Sequence, residues 1–127
     1  MSTYTIEIRG GRVVDPASQF DEAVSVFIAD GKIAGVGQTP AGFKADQVVD
    51  GSGLVVAPGL VDLSARVASN IDAELEAAVA GGVTTLACPP DVDPIIDEPE
   101  LAERIVRHAE DVSQVRVLPV GAMTQGK

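Results

Sequence analysis

Over the first 57 residues apolar and polar positions alternate in short runs, and from residue 58 onward apolar residues recur at helical spacing. Thr5-Ile6-Glu7-Ile8-Arg9 alternates with period two, Gly10-Gly11 reads as a turn, and Arg12-Val13-Val14 leads to Asp15-Pro16. Val24-Ser25-Val26-Phe27-Ile28 runs into Asp30-Gly31, a dipeptide suited to the positive φ angles of a type I′ hairpin, and Lys32-Ile33-Ala34-Gly35-Val36 returns. Val48-Val49 and Leu54-Val55-Val56 supply further strands around Asp50-Gly51-Ser52-Gly53. β-branched residues are frequent throughout, as a pleated surface favours. The pattern predicts an all-β module over residues 1–57.

In residues 58–127 Leu60-Val61-Asp62-Leu63 is a short strand candidate, and Ile71, Leu75, Ala78 and Val79 then fall on one helical face. Ser69 or Asn70 can cap that helix, and Gly81-Gly82 can stop it. Val83-Thr84-Thr85-Leu86-Ala87-Cys88 is nearly all apolar or β-branched, as in a strand covered on both faces. Pro89 to Pro94 reads as a loop, and Pro99 suits the first turn of a second helix. Leu101, Ala102, Ile105, Ala109 and Val112 mark the buried stripe of that helix, and Val115 to Val120 is a third strand. The order β-α-β-α-β predicts right-handed parallel crossovers, hence an α/β architecture after the β module.

Charge narrows the function classes. The 127 residues carry 19 Asp and Glu against 9 Lys and Arg, for a net charge of −10. Scattered basic residues in so acidic a chain argue against nucleic acid and against an anionic membrane surface as partners. The apolar stretch from Leu54 to Val61 is broken by Pro58-Gly59 and is far shorter than the roughly 20 residues a spanning helix needs. The N-terminus has neither the basic nor the apolar region of a signal peptide, and Cys88 is the only cysteine, so the expected location is cytoplasmic. Residues 58–127 hold twelve of the acids, and half of these lie between Asp91 and Glu103, where they read as a solvated loop and helix start.

Pro58-Gly59-Leu60-Val61-Asp62-Leu63 resembles the first barrel strand of the amidohydrolase superfamily, and of dihydroorotases in particular. Gly10 to Pro16 and Asp30-Gly31-Lys32-Ile33 are similar to that family's N-terminal β-domain, Ala78 to Cys88 to its second barrel strand, and Leu118 to Thr124 to its third. The resemblance implies the N-terminal part of a composite β-sandwich module (residues 1–57). The first three strands and two helices of a (β/α)8 TIM-like barrel (58–127) would follow. A complete barrel takes roughly 250 residues, so the expectation is a truncated barrel and an N-terminal piece of a longer protein. Its unpaired edges would favour oligomers.

The resemblance also locates departures. Active dihydroorotases follow this strand with His-x-His, two zinc ligands; here those positions are Ser64 and Arg66. Neutral serine is a poor zinc ligand, and a permanently cationic arginine repels the metal. The family's substrate-holding arginine is replaced by Ala68, and a substrate-gripping asparagine by Asp91, which would repel an anionic dihydroorotate. Arg66 could receive another anion, or simply neutralise carboxylates left in a disused pocket.

His108, the only histidine, cannot rebuild a His-rich centre and reads as a partly exposed helix residue. Cys88 reads as a small buried hydrophobe. Gly35-Val36-Gly37 and Gly51-Ser52-Gly53 read as turns, since neither has the strand-loop-helix context of a phosphate cradle.

The family analogy then implies a non-catalytic dihydroorotase homologue without a metal. Its expected role is structural, as a partner of the aspartate transcarbamoylase catalytic subunit in pyrimidine biosynthesis. The alternatives are a metal-dependent cyclic amide hydrolase with an altered site, for which zinc is expected, and an isolated piece without function of its own.

Overall fold

The computed structural model describes residues 4–67 and 70–124. The chain is α/β and divides into two compact units, Met1–Pro58 and Gly59–Lys127.

The first unit is one sheet. Strand β1 (Thr5–Asp15) pairs antiparallel with β2 (Phe20–Ala29), which pairs antiparallel with β3 (Lys32–Val36). Two short strands, β4 (Gln47–Asp50) and β5 (Val55–Val56), run parallel to β1. Asp30 and Gly31 take φ of 53° and 68°, the two positive values that the β2–β3 hairpin requires.

Gly10-Gly11 is not a turn. The register of β1 against β2 jumps between Ile8 and Gly11 while the strand continues, so the pair forms a β-bulge with Gly10 at φ 72°. Gly35 lies inside β3, as the returning strand Lys32–Val36 requires, and not in a turn. Val13, Val26 and Phe27 are the buried apolar residues of this unit, with the ring of Phe43 set edge-on to Phe27 at 5.1 Å. The Asp46 carboxylate clips the start of β1, accepting hydrogen bonds from the Thr5 N–H and Oγ1, both at 2.9 Å.

The second unit is a parallel sheet with helical crossovers. Its strands β6 (Leu60–Asp62), β7 (Val83–Cys88) and β8 (Arg116–Pro119) lie in sequence order, joined by α1 (Ile71–Ala80) and α2 (Pro99–Val112). Asn70 precedes α1 without a side-chain capping bond, and Ser69, the other candidate cap, is outside the described residues. Asp72 and Glu74 in the first turn complement the helix dipole. The helix ends at Gly81, whose N–H donates to the Ala77 carbonyl, followed by Gly82 at φ 75°. Pro99 opens α2, where its missing N–H costs nothing.

Leu75 and Ala78 of α1, Ile105 and Ala109 of α2, and Leu86, Cys88 and Val117 of the sheet form one core with Val67, Val92, Ile96 and Val115. Two expectations fail here. Val79 and Val112, placed on buried stripes by their spacing, remain 58% and 48% exposed. Strand β7 is fully buried only at Leu86 and Cys88, while Val83, Thr85 and Ala87 on the alternate face are half-buried.

Candidate functional site

Parallel strands end on the same side, so the segments after Asp62, Cys88 and Pro119 gather at one edge of the sheet. In open parallel sheets this carboxyl edge is where ligands bind. The Ala65 N–H donates to the Ala87 carbonyl at 3.0 Å, which lays residues 63–67 beside the end of β7. The Val120 N–H donates to Cys88 at 2.8 Å and the Ala122 N–H to Ile96 at 2.7 Å, tying the segment after β8 to the β7–α2 loop.

Of the four singled-out positions, three are described. Ser64 is exposed, and its N–H donates to the Asp62 side chain at 2.9 Å, so Asp62 is committed to shaping the turn. Arg66 reaches the β7–α2 loop, where its Nη2 donates to Asp91 Oδ2 at 2.6 Å. Ala68 lies outside the described residues.

The Arg66–Asp91 contact joins two positions that the sequence presents as separate departures. The hydrogen bond from Arg66 is the main cause that holds the Asp91 carboxyl below the ordinary carboxylate range, and the same bond raises the guanidinium further above its ordinary value. Both side chains are more than half exposed, so water screens the pair and its contribution to stability is small. Beside Asp91 lies a shallow depression of about 140 Å³ lined by Pro90, Ile95, Ala122 and Thr124.

Residues 64 and 66 thus offer a hydroxyl and an ion-paired guanidinium, a donor set that does not fit zinc. Among the described residues no three His, Cys, Asp or Glu side chains converge on a metal-sized space. Cys88 is fully buried in the core. His108 is about half exposed on α2, with Nε2 2.7 Å from Asp72 Oδ1 on α1, and so links the helices outside the sheet edge. Sequence reasoning expected Arg66 to neutralise a carboxylate but did not name Asp91, and it missed the Asp72–His108 contact. The only available signal was opposite charge on segments that consecutive parallel strands bring together.

No family model matches the chain. It is 46% identical to a dihydroorotase-like protein of Pseudomonas aeruginosa, aligned over 96% of this chain and 30% of that protein. A dihydroorotase-like protein of Pseudomonas putida is 42% identical over the same shares. A dihydroorotase of Solibacter usitatus is 41% identical over 95% of this chain and 30% of its own length. The chain therefore spans about 30% of the length of these relatives.

Among solved structures, L-hydantoinase (dihydropyrimidinase) from Arthrobacter aurescens superposes with a TM-score of 0.81 at 21% identity, covering 97% of this chain and 29% of that one. Ochratoxinase from A. niger gives 0.71 at 16% identity, covering 96% and 32%. At such identities the likeness establishes the fold, that of the hydantoinase-like amidohydrolases. Over the residues it spans, the chain belongs to the dihydroorotase family.

Proposed function

We propose that this chain is part of a non-catalytic dihydroorotase homologue that serves as a structural partner of the aspartate transcarbamoylase catalytic subunit in pyrimidine biosynthesis, in the cytoplasm. The observation that carries the reading is the Arg66–Asp91 ion pair. In the family's plan these positions serve a metal and a substrate, and here each satisfies the other. A metal at this edge would meet a fixed cation, and an anionic substrate would meet a carboxylate already engaged.

In this reading residues 1–57 contribute to a composite β-sandwich and residues 58–127 begin a (β/α)8 barrel. The first sheet carries an apolar depression of about 240 Å³ whose lining includes Val13, Val26, Ile33, Val36 and Val56, a surface suited to further strands. The half-buried alternate face of β7 suits a barrel interior in the same way. Among the described residues the outer edges of β6 and β8 pair with no further strand, which suits continuation of the sheet, and the assembled protein is an oligomer.

The full-length protein should contain no stoichiometric zinc by elemental analysis and no dihydroorotate ring-opening or ring-closing activity. It should co-purify with the transcarbamoylase and alter its activity. Stoichiometric zinc with ring chemistry would sink the non-catalytic reading, and absence of any association would sink the scaffold role.

A second reading is favoured by the relative named dihydroorotase at 41% identity. It is a cyclic amide hydrolase whose metal is held by residues outside this stretch, and the same zinc measurement separates the two.

A further inference from the structure

We propose that the groove between α1 and the C-terminal end of α2 is a docking site for a partner protein's basic amphipathic helix, one that carries Lys or Arg beside an apolar face. The groove has a volume of about 640 Å³, and its lining includes Asp72, Leu75, Glu76 and Val79 from α1 with Asp111 and Val112 from α2. Val79 and Val112 are the two residues that helical spacing assigns to buried stripes and that remain 58% and 48% exposed. The groove therefore presents apolar surface of the kind a helix normally covers.

Charge decides what covers it. Among the described residues the lining holds three carboxylates and no Lys, Arg or His. Asp72 is engaged by His108, but Glu76 and Asp111 make no hydrogen bond or ion pair among the described residues. Neither helix has a basic residue in its last turn. The C-terminal end of a helix carries partial negative charge, where cations are favourable and carboxylates are not. Asp111 in the last turn of α2 thus opposes the local dipole, and Glu76 stands one turn from the end of α1. A placement that costs stability with no compensating contact inside the unit is expected where function requires it. A cation supplied from outside would meet both carboxylates and the negative helix ends, while an apolar flank covers the valines.

The same charges exclude other occupants. The same groove on a second copy would bring like charge. A phosphate backbone or anionic lipid surface would be repelled. The inference goes beyond the scaffold reading and holds whichever protein supplies the helix.

The test uses the full-length protein and a fluorescent amphipathic peptide of about five helical turns, long enough to be helical in part on its own. One version carries Lys beside a Leu and Ala face, and a control carries Glu in place of Lys. The Lys peptide should bind with an affinity that falls with salt, and the Glu control should not bind. Glu76→Gln with Asp111→Asn should weaken binding about tenfold while the melting temperature stays level or rises. Val79→Ser with Val112→Ser should weaken it independently of salt.

Equal binding of the Lys peptide to the Glu76→Gln/Asp111→Asn variant would overturn the proposal, since the attraction would then be general acidity. So would sedimentation showing that the charge variants change the oligomeric state, which would make the occupant a second copy. Cysteines introduced by Val79→Cys or Val112→Cys that resist maleimide in the full-length protein would overturn it too, because the groove would then be covered by the protein itself.

Discussion

At residue 66, where the family resemblance leads one to expect an imidazole, a guanidinium finds its counter-charge at Asp91. Arg66→Gln removes the hydrogen bond that holds the Asp91 carboxyl low, so the Asp91 titration should move up toward the ordinary carboxylate range. Carbon-detected NMR of the carboxyl resonance checks this, and an unchanged titration would mean that the pair does not persist in solution. The melting temperature should hardly change, because both groups are largely in water. Each departure is legible in the sequence by itself. Their pairing is not, because residues 66 and 91 follow different strands and meet only where β6 and β7 end side by side.

Among elements, the clearest sequence signals are those with one backbone solution. Asp30-Gly31 predicts the β2–β3 hairpin because only a few residue types tolerate two successive positive φ values, and the structure places both there. Gly10-Gly11 carries a similar signal and gives a bulge, since a turn and a bulge can both use a glycine at positive φ. Only the partner strand, by continuing, separates the two outcomes. Gly10→Ala should cost about 1–2 kcal/mol through the left-handed backbone it imposes on alanine, measurable by denaturant unfolding of the full-length protein.

The helices illustrate a different limit. Leu75 and Ile105 are predicted to be buried and are, but Val79 and Val112 share the same periodicity and are not. Periodicity marks a sector of the helix, whereas burial depends on how far the neighbouring element reaches around it. Leu75→Ala in α1 should cost about 2–5 kcal/mol by opening a cavity in a fully packed site, and Val79→Ala under about 1 kcal/mol, by the same unfolding measurement.

On the scale of the whole molecule, charge is unevenly tied to structure. Glu7, Asp15, Asp21, Asp46 and Asp50 in the first unit and Asp91 in the second are held below the ordinary carboxylate range. The main causes are hydrogen bonds from Arg9, Ser18, Arg12, Thr5, Ser52 and Arg66 respectively. Depressed carboxyls stabilise the fold above the ordinary range, and that stabilisation is lost as pH falls through their folded values. The strands of the first unit should therefore lose hydrogen-exchange protection before those of the second when pH falls below about 4. Equal loss in both units would show that these contacts are too weak to matter.

The sequence by itself determined the alternation of the first strands, the stops and starts at Gly81-Gly82 and Pro99, the charge balance and the residue types at 64, 66 and 91, because these depend on local backbone preference and side-chain chemistry. Only the tertiary structure decided that Gly10 bulges, that Arg66 is matched by Asp91, and that two valines stay in an acidic groove, because each depends on which distant segment arrives alongside.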